Sequence, residues 1–181
     1  MFGLVAKWKH RPDPLTRLAQ QLDRLAERDE KKVEEMDHTD QARRHGARIL
    51  HSICADFTRH LNAAMTRTEM LLIPTEFNPE TYREDAPNLI QMSLRGRIVQ
   101  IQYEAPEQII ANENFRHPYI LQGAVNGFNQ TLLERDLIEE QLLFYARDSK
   151  HDFRWHYFEP RTYSTGLVDE RYLTTLLARL A

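Results

Sequence analysis

The chemistry available to this chain rests on its histidines, its amides and one cysteine, and spacing decides how far each can be taken. Eight histidines in 181 residues invite a metal reading. His51 and Cys54 stand three apart and Asp56 and His60 four apart, and on a helix either spacing puts two ligand atoms on one face. At about 100° per residue, however, the two pairs point to roughly opposite sides, so one ion does not see all four. Packing of Cys54 in a core, with its neighbours solvated or ion-paired, is the stronger reading. No metal and no other cofactor is expected.

Two further groups offer binding chemistry. Arg154 and His156 alternate onto one face of the aromatic run 153–158, where they would suit an anion or a proton transfer. No nucleophile pairs with them in sequence, so no catalytic residue is assigned. Gln91, Gln100, Gln102, Gln122 and Asn126 fall on the polar positions of three alternating segments. Amides donate and accept hydrogen bonds without titrating, which suits recognition of a polar ligand or a backbone better than acid–base work. A merely solvated sheet face is the competing reading for all of these.

The strong signatures fail. Six glycines, none clustered after a strand, exclude the phosphate-loop and dinucleotide patterns, and there is no Cys-x-x-Cys, His-Glu-x-x-His or Gly-x-Ser-x-Gly. The formal net charge of −3 lacks the basic excess of a nucleic-acid binder. A single cysteine cannot close an internal disulfide and fits a reducing compartment. No apolar run approaches the ~18–20 residues of a spanning helix. Residues 1–11 mix Trp8 with Lys7, Lys9, His10 and Arg11 in an order unlike a secretory signal; a frayed terminus outweighs contact with an anionic surface. The chain reads as cytoplasmic.

The elements that must carry these residues follow from periodicity. Asp13-Pro14 is a helix start, with Asp as N-cap and proline at the first helical position. Leu15, Leu18, Leu22 and Leu25 then alternate at three and four, the stripe that buries best against another helix. Strictly continued, the same spacing meets Asp29, Lys32, Met36, Thr39 and Arg43 before apolar residues return at Leu50, Ile53 and Phe57. One helix across a solvated waist, or a hairpin turning near residues 37–40, would both fit. The absence of proline between Pro14 and Pro74 favours one helix. The face from Leu50 to Met65 is broader and suits packing on a sheet.

Past the proline-punctuated loop at residues 75–88 the period becomes two. Residues 90–94 and 97–103 form a hairpin around Arg95-Gly96; a two-residue loop sets Met92 opposite Val99, Ile90 opposite Ile101 and Gln91 opposite Gln100, one side core and the other wet. Residues 119–128 form a strand whose glycines signal close backbone approach. Thr131–Glu134 resembles a capping box, yet a strand is expected from about Ile138, because the β-rich run 153–158 needs 142–145 as its partner. Asp169 caps a last helix with Tyr172, Leu173, Leu176, Leu177 and Leu180 as its stripe. Whether residues 70–73 end a helix or start a strand is left open.

The expected fold is therefore α+β: a helical arm of coiled-coil character over residues 1–46, then an α+β body over 47–181 with an antiparallel sheet of about five strands closed by a C-terminal helix. The expected function is a non-enzymatic interaction or binding protein. Leu15, Leu18, Leu22 and Leu25 would pair two copies, or dock on another protein, because the stripe otherwise leaves an apolar strip in water. The alternative is a small-molecule binder or enzyme with a pocket between the sheet and its covering helices.

Overall fold

A computed structural model describes residues 14–106, 118–129, 139–150 and 152–180. Helix α1, Pro14–Ala64, is a single helix of 51 residues, so there is no hairpin at residues 37–40. Its Asp13 cap lies outside the described residues. By its contacts the chain falls into two units, Met1–Thr39 and Asp40–Ala181. In the first unit every described residue from Pro14 to His38 is exposed.

The second unit holds a sheet of seven antiparallel strands in chain order: β1 Leu71–Ile73, β2 Asn88–Leu94, β3 Arg97–Glu104, β4 Tyr119–Asn129, β5 Glu139–Arg147, β6 Phe153–Glu159 and β7 Ser164–Leu167. Helix α2, Glu170–Leu180, follows. The expected count of about five strands is corrected to seven among the described residues. The two additions, β1 and β7, are three and four residues long, too short for alternation to emerge from a sequence, and short edges are how open sheets resist further pairing.

The hairpin registers agree with the alternation. Leu94 pairs Arg97 around Arg95-Gly96, and Met92↔Val99, Ile90↔Ile101 and Gln91↔Gln100 follow. Positive φ at both loop residues, 46° and 79°, is the geometry whose twist matches the flanking strands. Strand β5 pairs β6 with Phe144 opposite His156; the helix-prone residues 131–138 before it lie outside the described residues. In β4 the glycines do mark close approach: a Cβ on Gly123 would stand 2.4 Å from the Gln102 carbonyl oxygen.

The larger core of the unit draws on both helices and the sheet. Ala47, Leu50, Cys54 and Phe57 of α1 and Tyr172, Leu173, Leu176 and Leu180 of α2 enter the same cluster as Ile90, Val99, Ile101, Val125, Leu143 and Trp155. Both helices therefore cover one sheet face. Asp169 caps α2 by accepting from the Tyr172 amide at 2.8 Å. At its other end the Leu180 carbonyl accepts from Arg97 Nε and Asn129 Nδ2, each at 3.0 Å, which satisfies a terminal carbonyl the helix leaves free. Asn62 ties the chain beyond α1 back, exchanging hydrogen bonds with the Met70 amide and carbonyl at 2.7 and 3.0 Å.

Helix α1 meets the sheet directly at Gly46. Its carbonyl accepts from the buried Trp155 Nε1 at 2.7 Å, and a Cβ there would stand 2.5 Å from Tyr145 Cε1. That separation is well inside van der Waals contact. Gly46→Ala is expected to lower stability by ~1–3 kcal/mol, the usual cost of overpacking a filled core, despite alanine's better helix propensity. Urea unfolding measures this; a midpoint equal to or above wild type would contradict the packing described.

Candidate functional site

Strand register brings all seven sequence-predicted binding residues to one face, the face opposite the helices. Gln91 lies opposite Gln100, Gln100 opposite Asn126, Gln102 opposite Ala124, and Gln122 opposite Phe144, while Phe144 and Ala146 lie opposite His156 and Arg154. The residues do not converge on one point. Gln102, Gln122 and Asn126 line a groove of about 490 Å³ with Glu104, Glu140, Leu142 and Phe144. Gln91 and Gln100 lie one step aside, bound to each other at 2.8 Å. Arg154 is drawn off to Asp148 at 3.2 Å, in the β5–β6 turn.

The competing reading, a merely solvated face, does not describe all of it. Tyr119, Phe144, Ala146 and Phe158 form a second buried cluster there, with Leu142 packed against it and the Tyr119 and Phe144 rings 4.9 Å apart. Half of the face is amide and carboxylate, and the other half apolar and aromatic. The groove crosses the border between them. Its polar lining carries two carboxylates and no cationic side chain among the described residues, so a ligand with hydrogen-bond donors or positive charge suits it better than an anion.

A second depression, of about 260 Å³, lies between α2 and strands β5–β7, lined by Gln141, Tyr157, Leu167, Tyr172 and Arg179 among others. None of the seven predicted residues lines it. Its buried wall is a polar chain that periodicity did not reveal: Tyr172 Oη donates to Gln141 Oε1 at 2.6 Å, and Gln141 Nε2 donates to Glu159 Oε2 at 2.8 Å. Gln141 and Glu159 are only 3% and 5% exposed. Burial raises the Glu159 carboxyl, but hydrogen bonds from Gln141 and Arg161 outweigh it and leave the group below its ordinary value. Tyr157 and Tyr172 stack at 4.5 Å beside this chain.

The residues considered for a metal are occupied otherwise. His51 donates from Nε2 to the Pro74 carbonyl at 2.8 Å. Asp56 pairs with Arg59 at 2.6 Å and His60 with Glu170 at 3.0 Å. Cys54 is buried, and burial pushes its thiol up to about 12. Among the described residues no group of three potential metal ligands comes together, and no helix is long and apolar enough to cross a membrane. Comparison with protein-family models, curated proteins and solved structures gave no match to this chain.

Two outcomes follow from these environments. The Glu159 carboxyl is depressed in the folded state, so its contribution is present above the ordinary glutamate value and lost as pH falls through the native one. Glu159→Gln should flatten the acid limb of stability against pH, whereas an unchanged limb in urea titrations would contradict the chain of bonds. The Cys54 thiol is raised, so stability it contributes below about pH 9 is lost as the pH climbs toward 12. Native protein at pH 8 should leave Cys54 unmodified by an aromatic disulfide reagent, with full reaction in denaturant; rapid native labelling would disprove its burial.

Proposed function

We propose that this chain is a non-enzymatic assembly or binding protein that self-associates through the first half of α1 and presents the outer sheet face to a further partner. The observation that carries the reading is the exposure of Leu15, Leu18, Leu22 and Leu25, at 74, 52, 55 and 43%, on one stripe of a continuous helix. A helix polar all round would need no partner; one with a leucine stripe at this spacing loses free energy in water. Fully burying a leucine is worth ~1.5–3 kcal/mol. Four from each of two chains, already partly covered, give a sum of the same order as the ~4–15 kcal/mol that association costs. The net gain is therefore small, and pairing through these four residues alone is weak and concentration-dependent.

Nothing in the predicted set requires catalysis. The amides do not titrate, Arg154 is held by Asp148, and the raised thiol of Cys54 is shut in the core. A second reading, a small polar ligand in the outer-face groove, is favoured by the way Gln102, Gln122, Asn126, Glu104 and Glu140 share it. It is compatible with assembly through α1.

Leu18→Glu together with Leu22→Glu is the test of the assembly reading. Wild type should give a mass rising with concentration across the micromolar range in light scattering, and the double variant a constant monomer mass with the same sheet signal in circular dichroism. A wild type that stays monomeric throughout would sink the reading.

A further inference from the structure

The stripe is longer than the four leucines. The exposed large apolar residues of α1 also include Val33 and Met36, which stand eleven residues beyond Leu22 and Leu25 respectively. Eleven residues make three helical turns to within about 20°. Strict heptad continuation from Asp29 meets Lys32 and then Met36; a step of four from Asp29 instead brings in Val33 and rejoins the line at Met36. Ala19 and Ala26 flank the line and are small enough to let another helix approach closely. From Leu15 to Met36 the stripe runs about 32 Å at 1.5 Å per residue.

Charge along the same stretch is polarised. In residues 14–28, Arg17, Arg24 and Arg28 outnumber Asp23 and Glu27. In residues 29–37, Asp29, Glu30, Glu34, Glu35 and Asp37 outnumber Lys31 and Lys32. A second copy laid parallel and in register would set the acidic halves side by side. Laid antiparallel, each acidic half runs along a basic one.

We infer that two copies of this chain pair antiparallel through residues 14–37, an inference that rests on the self-association proposed above. Centred between Leu25 and Ala26, the overlap sets Leu15 level with Met36 and Leu18 level with Val33. The polar residue of the line, Asp29, comes level with Leu22, so the seam is weakest there and strongest at its ends. The same overlap puts Arg17 level with Glu34 and Asp23 level with Arg28. Salt has a definite sign in this arrangement: it screens an attraction, so the dimer weakens, whereas in a parallel pair it would screen a repulsion and the dimer would tighten.

Spin labels in the full chain separate the outcomes. Thr16→Cys and Glu27→Cys are labelled singly, with unmodified protein as the control that buried Cys54 takes no label. The antiparallel overlap puts the two labels at residue 16 about 30 Å apart along the axis, from a rise of 1.5 Å per residue, and those at residue 27 within ~20 Å. Dissociation should rise several-fold between low and half-molar salt. Short distances at both sites, or tightening with salt, would overturn the antiparallel arrangement and leave self-association standing. No dipolar coupling at either site at tens of micromolar, with a monomer mass in scattering, would overturn both.

Discussion

The packing of the second unit depends on how closely α1 can lie on the sheet at Gly46. There a helix carbonyl takes the Trp155 indole N–H and a tyrosine ring fills the space where a side chain would otherwise stand. Trp155 in turn meets Tyr103 edge-on at 5.8 Å and lies 5.3 Å from Tyr145, which stacks on Phe153 at 5.4 Å. The backbone of α1 at Gly46 thus meets two members of this aromatic block, Trp155 and Tyr145. An indole buried without an acceptor would cost ~1–3 kcal/mol, so the hydrogen bond and the contact are set together. From this point the helix lays Ala47, Leu50, Cys54 and Phe57 along the core.

That contact also divides α1 by what its residues do. Beyond Gly46 one side of the helix is buried in a core shared with α2; before Thr39 no described residue is buried. A fifty-one-residue helix is far longer than covering a sheet of this width requires. Its first half carries leucines at coiled-coil spacing and charge of opposite sign at its two ends. Proposing a second copy as the partner uses both features at once, since burial supplies the attraction and charge polarity selects the direction. The outer sheet face, half amide and half aromatic, is free of that task and offers a different kind of contact.

Much of this was legible in the sequence where local chemistry was strong. Arg95-Gly96 between alternating runs pointed to the β2–β3 register, because a two-residue loop, here with both residues at positive φ, lets those runs pair with their apolar sides aligned. Aromatic density in residues 153–158 outweighed the helix propensity upstream and placed β5 correctly. Less could be read where tertiary context decides. Strands β1 and β7 are too short to show a period. Gln141 and Glu159 look like solvent positions, yet they are buried because Tyr172 and Arg161 reach them. Phe144 and Phe158 occupy positions that alternation assigns to water, and packing on Tyr119 and Ala146 buries them instead.

The central claim is that the leucine stripe of α1 is covered by a second copy in solution. Amide hydrogen exchange across residues 15–36, followed as a function of protein concentration, addresses it directly, since opening of an assembled helix is linked to dissociation by mass action. The account predicts slow exchange that accelerates on dilution through the micromolar range, while amides of β3 and β4 hold a constant rate. Exchange in residues 15–36 that is the same at every concentration would contradict it.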